Sequence, residues 1–306
     1  MIEVDHLSKS FGPKQAVQDL SFVVAPGRVT GFLGPNGAGK STTMRMIVGL
    51  DHPSGGHVVV NGRRYVDEPA PLRSVGTLLD AHAVHPGRSA FDHLRALAAT
   101  SGIGRERVRE VLELVGLSEV AGTRVGTFSL GMTQRLGIAG ALLGDPPVIM
   151  LDEPVNGLDP DGIHWIRGLL RSLAAEGRTV FVSSHLMSEM ALTADHLIVL
   201  GRGRLLADVS MTEMIGSTGT YIRVRSPEVE ALTAQLVARG ADVQQLEPAV
   251  LSVRNLTDVE VAETAFAHRI LLHELTAVHS SLEDAYLALT HDAVEYAAPT
   301  DLRRVA

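Results

Sequence analysis

One segment limits the fold of this chain more than any other: a glycine-rich loop set between an apolar strand and a helix. Arg28 to Leu33 reads as a short strand, Gly34-Pro35-Asn36-Gly37-Ala38-Gly39-Lys40-Ser41 follows, and a helical pattern runs from about Lys40 to Val48. The loop fits G-x-x-x-x-G-K-[ST] in the context that gives the pattern its meaning. Small residues let successive backbone N–H groups turn inward and form an anion-binding nest. The positive end of the following helix, with Ser41 and Thr42 in its first turn, points at the same phosphates. Lys40 supplies a cation for the β- and γ-phosphates, and the Ser41 hydroxyl can ligate Mg²⁺. Only Lys9, Lys14 and Lys40 are lysines, so a lysine in the glycine loop stands out. An ordinary glycine turn ahead of a helix needs none of these residue types.

A second apolar run, Val148 to Leu151, ends in Asp152-Glu153-Pro154. Carboxylates at the carboxyl end of a buried strand sit where open α/β sheets bind ligands. Asp152 can hold Mg²⁺ opposite Ser41, and Glu153 can orient or deprotonate a water that attacks the γ-phosphate. Alone, a charged strand exit is common; the glycine loop gives it weight. His185 follows a further buried strand and the pair Ser183-Ser184, within reach of the γ-phosphate or the water as a neutral imidazole.

Composition narrows the function from the other side. With a net charge of −8 the chain lacks the basic surplus of a nucleic-acid binder, and no direct nucleic-acid partner is expected. Cysteine is absent, which removes disulfide frameworks and thiolate metal sites. The opening MIEVDHLSKSFG carries Glu3 and Asp5 and has no apolar signal core. The longest apolar stretch, Leu136 to Leu151, is broken by Gly137, Gly140, Gly144, Asp145, Pro146 and Pro147. A bilayer span needs about 20 predominantly apolar residues, so a membrane role is expected only through a partner.

Strands and helices alternate in the first two-thirds. Strands are expected at Ile2 to Leu7, Ser21 to Val24, Val148 to Leu151 and Thr179 to Val182. Helices are expected at Ala90 to Ala99, Arg105 to Val115, Leu130 to Leu143 and about Asp159 to Ala175. Ile198 to Leu200 and Arg204 to Ala207 read as a hairpin. The stretch IGSTG marks a boundary near Gly216 to Gly219. Beyond it the pattern gives strands at Tyr221 to Val224, Asp242 to Leu246, Val250 to Arg254 and Ile270 to Thr276. Helices are expected at Glu228 to Arg239, Val259 to His268 and Leu282 to Thr290. His291 to Ala306 shows no pattern and is expected to form a disordered tail.

Taken together these motifs resemble the ATP-binding cassettes of ABC transporters over about residues 1 to 210. The resemblance implies an α/β phosphate-loop fold of ABC type in residues 1 to 215, with a helical subdomain at about 88 to 144. A small α+β domain at 220 to 290 resembles the C-terminal extension of some export cassettes. Phe11 lies where the family stacks an aromatic ring on adenine, and Gly34 to Ser41 is the Walker A loop. Phe128-Ser129-Leu130-Gly131-Met132 stands at the signature LSGGQ, followed by Gln134-Arg135. Asp152 and Glu153 end Walker B, Asn156 to Asp159 looks like the D-loop, and His185 is the switch histidine. Lys40, Glu153 and His185 are then the catalytic candidates, with ATP and Mg²⁺ as ligands.

Ser129 and Gly131 survive in the signature while Leu130 and Met132 depart from it, as in the SLGM variant of bacterial drug- and bacteriocin-type export cassettes. Asp80 stands where the family has a Gln that contacts Mg²⁺ and couples to the membrane subunit, which puts that coupling in doubt and makes Asp80 a metal candidate. The family's site is completed by the signature of a second cassette, so the resemblance implies a homodimer with a separate permease. It also implies a peripheral position on the cytoplasmic face of the membrane. The rival is a soluble cassette ATPase acting on DNA or ribosomes, but there is no room for a coiled coil between Lys40 and Ser129 and no second cassette. A small-molecule kinase would not carry the signature, D-loop and His185. Asp80, His82 and His85 form no convincing metal set without a further ligand.

Overall fold

Continuous apolar runs, unlike alternating ones, build strands that are covered on both faces. Strands in the middle of the protein's central sheet are made of them. The structure is a computed structural model and describes residues 1–216, 219–279 and 281–290. Met1–Met211 forms one compact unit and Thr212–Ala288 a second.

The first unit runs β1 (Ile2–Phe11), β2 (Lys14–Val24), β3 (Val29–Leu33), α1 (Lys40–Ile47), β4 (Gly55–Val60), α2 (Pro71–Ser74) and β5 (Val75–Leu78). It continues with α3 (Ala90–Ala99), α4 (Arg105–Leu114), α5 (Leu130–Leu142), β6 (Val148–Leu151), α6 (Pro160–Ala175), β7 (Thr179–Ser183), α7 (Met187–Thr193), β8 (His196–Gly201) and β9 (Arg204–Ser210). One sheet has the order β5-β6-β7-β3-β8-β9, parallel except for the final hairpin strand β9. The strands β3, β6 and β7 are buried at every position, as their sequences require. A second, antiparallel sheet has the order β2-β1-β4.

Between the two sheets lies a core centred on three aromatic rings. Phe32 and Phe181 stack 4.8 Å apart between centroids, and Phe22 lies 5.8 and 6.1 Å from them. Phe32 and Phe181 are wholly buried. Phe181→Ala should cost about 3–5 kcal/mol, through lost transfer energy and an unfilled cavity. Urea unfolding of the first unit should show a clearly lowered midpoint; an unchanged one would contradict this packing.

In the first unit, α3, α5 and α6 are capped by side chains at their entrances. Ser89 accepts from Asp92 N–H, Ser129 from Met132 N–H at 3.2 Å, and Asp159 from Gly162 N–H at 2.9 Å. Each cap satisfies a backbone donor that the helix cannot, which fixes where α3, α5 and α6 begin.

The structure adds elements that the sequence pattern does not reveal. The hairpin β1–β2 is longer than expected, closing only at Gly12-Pro13 with Gly12 at φ 57°. The strands β4 and β5 and the short helices α2 and α7 were not anticipated.

In the second unit, α8 (Met211–Gly216) begins within a residue of the division. It is followed by β10 (Thr220–Arg225), α9 (Val229–Ala238), β11 (Asp242–Glu247), β12 (Val250–Arg254), α10 (Asp258–Ala267), β13 (Glu274–His279) and α11 (Leu282–Thr290). Its antiparallel sheet has the order β11-β12-β10-β13. This is the split β-α-β-β-α-β arrangement. Ile222, Val224, Leu251 and Val253 from the sheet meet Leu232, Leu236, Val261 and Ala265 from the helices in its core. Thr257 and Glu260 form a reciprocal capping box at the start of α10. The last strand starts four residues later than Ile270. There, Ile270 N–H bonds back to Ala265 C=O and its side chain packs into the core as part of the exit from α10. The expected tail, residues 291–306, lies outside the described residues.

Candidate active site

Two parallel strands, β3 and β6, open at their carboxyl ends into one cleft of about 360 Å³. It is lined by Phe11, Lys14, Ala16, the loop from Asn36 to Thr42, and Asp152 with Glu153. The loop keeps its shape because glycine alone fits two of its positions. Gly39 has φ +102°, and a Cβ there would lie 2.6 Å from Ala16 C=O. A Cβ on Gly34 would lie 2.7 Å from Leu200 C=O. Gly37 also lies in the left-handed region, at φ 82°.

Lys40, buried at the start of α1, donates through Nζ to Gly34 C=O at 2.6 Å and to Pro35 C=O at 3.3 Å. Burial pushes its pKa down, while Glu153 and Asp152 pull it back up. A cation is thus held under the loop, where amides and helix dipole already favour an anion. Phe11 is half exposed at the cleft mouth, with Lys9 Nζ 4.9 Å from its ring centroid.

Facing the loop, β6 ends and the backbone turns sharply. Glu153 takes φ +51°, in the left-handed region. Its N–H donates to Ser183 Oγ at 2.9 Å, and Gln134 Nε2 donates to its C=O at 3.2 Å. The Ser183 hydroxyl donates in turn to Asp152 Oδ1. His185 Nδ1 lies 2.7 Å from Glu153 Oε2. Ser41 and Asp152 therefore offer hard oxygen donors in the same cleft. That chemistry fits Mg²⁺.

The structure gathers most of the sequence candidates but not all. Ser129 and Gly131 are not among the cleft-lining residues; they start α5. There α5 packs on the loop before α6: a Cβ on Gly157 would strike Leu130 Cγ at 2.3 Å, and one on Gly131 would lie 3.0 Å from Gly157 C=O. Leu130, which departs from the family signature, thus covers a glycine of its own chain. Asp80 also stays out of the cleft lining; it is exposed and its Oδ1 accepts from His82 N–H at 2.8 Å. Among the described residues no group of three or more His, Cys, Asp or Glu side chains could hold a metal, so Asp80, His82 and His85 form no such site. Sequence reasoning missed Lys14 and Ala16 in the lining, and the part played by Ser183, whose signal is only a serine at the end of an apolar run.

A parallel sheet that delivers a glycine-lysine loop and an acidic pair to one cleft, with a helical segment inserted between them, defines a nucleotide-binding cassette ATPase. Comparison with known proteins supplies the family. Residues 17–156 match the family described as ABC transporter, and residues 220–283 match one described as a domain of unknown function. The chain is 37% identical to the uncharacterized ABC transporter ATP-binding protein YhcH of Bacillus subtilis (strain 168), covering 96% of this chain and 97% of that protein. It is 41% identical to the bacitracin transport ATP-binding protein BcrA of Bacillus licheniformis, over 72% of this chain and 74% of that one. Among solved structures, the cassette MJ0796, dimeric in a post-hydrolysis state with ADP and Pi, matches with a TM-score of 0.64 at 25% identity. That match covers 69% of this chain and 99% of MJ0796. The chain belongs to the ABC transporter ATP-binding proteins, the ATP-hydrolysing subunits that energise a membrane transporter. Among the described residues no helix is long and apolar enough to cross a membrane.

Proposed function

We propose that the chain hydrolyses MgATP at a site shared by two copies of itself, on the cytoplasmic face of a membrane beneath a separate permease chain. The transporter so driven exports antibiotics or antimicrobial peptides. Support for the cargo is the likeness to bacitracin and lantibiotic transport ATP-binding proteins. The ATP chemistry belongs to residues 1 to 215, with 220 to 290 a separate module.

The observation that carries the two-copy reading is the separation of the signature from the cleft. Ser129 and Gly131 head a capped helix that does not line the cleft holding Lys40. A helix N-terminus that attracts anions but faces no phosphate loop of its own is suited to capping the phosphates of a neighbour. The dimeric neighbour structures support the same arrangement.

Within the site, the loop amides from Gly34 to Gly39 and the Lys40 ammonium hold the phosphates. Phe11 stacks on the base. Ser41 and Asp152 hold Mg²⁺, which when bound spreads charge over the phosphate oxygens. Glu153 orients the attacking water and draws its proton, with His185 steering the Glu153 carboxylate. Asp80 is left out of the metal set, because its carboxylate serves its own turn.

The test is hydrolysis measured against protein concentration. Calorimetry with Mg²⁺ should register ATP uptake, and phosphate release per molecule should rise as dilution is reversed, since one chain alone lacks half the site. Specific activity independent of concentration, with the chain monomeric throughout, would defeat the shared site.

A further inference from the structure

We infer that Ser183 is a positioning residue for hydrolysis, its single hydroxyl setting both carboxylates that follow β6. The inference rests on the reading of Glu153 as the residue that activates water.

Ser183 is the last residue of β7 and is wholly buried. β6 and β7 are parallel neighbours with Leu151 opposite Val182, so Ser183 falls beside Asp152. Its bonds have a fixed direction. The oxygen accepts from Glu153 N–H at 2.9 Å, and the hydroxyl proton goes to Asp152 Oδ1, because a carboxylate can only accept.

Glu153 needs that grip. A residue with a Cβ stays at φ +51° only when its surroundings hold it there. Gln134 Nε2 and Asn156 N–H hold the Glu153 carbonyl, both at 3.2 Å, and Ser183 holds the N–H on the other side. Two residues beyond Ser183, His185 takes Glu153 Oε2. The end of β7 therefore grasps Glu153 twice, by its backbone and by its carboxylate, and aims it. The same hydroxyl holds Asp152 by Oδ1. A serine that merely ended a strand would contribute to stability and nothing more.

The experiment compares Ser183→Ala, Glu153→Gln and the double variant in the full-length chain, with MgATP hydrolysis, ATP affinity and thermal unfolding measured on each. For Ser183→Ala, kcat should fall about ten-fold or more, the worth of one hydrogen bond to a charged group. ATP affinity should stay within about two-fold, because the loss lies in the chemical step. The double variant should be at most about two-fold slower than Glu153→Gln alone, since the part of Ser183 that acts through Glu153 is already lost there. A wild-type kcat, a weakened ATP affinity, or losses that multiply in the double variant would overturn the inference. Should Ser183→Ala not fold, Ser183→Thr keeps the hydroxyl and should retain kcat, and a ten-fold loss there counts against it. Glu153→Gln turning over at the wild-type rate is a separate outcome, which removes the role given to Glu153 itself.

Discussion

Glu153→Gln is expected to bind MgATP and stall, with kcat lowered by about 10²–10³-fold or more, the range of a lost general base. Glutamine keeps the length of the side chain and an oxygen that can still meet His185, now 2.7 Å from Oε2. It loses the ability to accept a proton from water. The backbone bonds that fix the strained turn, to Ser183 and from Gln134, do not involve the carboxyl group and should survive. Binding and chemistry are therefore separated by this change. If ATP draws two copies together and hydrolysis releases them, a variant that cannot hydrolyse should accumulate as a dimer. Light scattering with and without MgATP reads that directly. Normal phosphate release would take Glu153 out of the chemistry. A stalled variant that stays monomeric would instead count against the shared site.

How much of this is legible in the sequence depends on whether a residue's partners lie nearby along the chain. The glycine loop was legible because nest, lysine and helix start are all local. The strands β6 and β7 are legible because burial on both faces forces an apolar run, whereas β3, Val-Thr-Gly-Phe-Leu, is marked by the glycine loop that follows it. The strand β5 is not legible, and the reason is physical. Gly76 interrupts its apolar pattern, yet a Cβ there would lie 1.8 Å from Ala141 C=O. The close approach of α5 that demands glycine also erases the strand signal. The strand β4 hides in the same way behind Gly55, Gly56 and His57, leaving only three valines to announce it.

Among the site residues, the sequence marks Ser183 only as a neighbour of His185, since its bonds cross 30 and 31 positions to Glu153 and Asp152. Leu130 reads from the sequence as part of an SLGM variant of the signature. Only the packing on Gly157 explains why a bulky residue is accommodated there.

Lys40→Ala should be the mirror image of the glutamate change, losing binding and turnover together. Its ammonium is the only lysine in the loop, buried and spent on two loop carbonyls, Gly34 and Pro35. Desolvation already disfavours its charge, and the nearby Asp152 and Glu153 sustain it. Removing it leaves two carboxylates facing the phosphates without the loop's own cation, so like charges would meet across the cleft with less to offset them. A lost preorganised charge donor costs about 10²–10³-fold in rate, and here ground-state affinity should suffer as well. Phosphate release should therefore drop to near background, and calorimetry should show ATP affinity reduced, unlike Glu153→Gln. With no nucleotide to hold two copies together, no ATP-dependent dimer should form. Lys40→Ala with wild-type ATP affinity and a stalled dimer would show that the amide nest alone retains the triphosphate, and the lysine's part would shrink to the transition state.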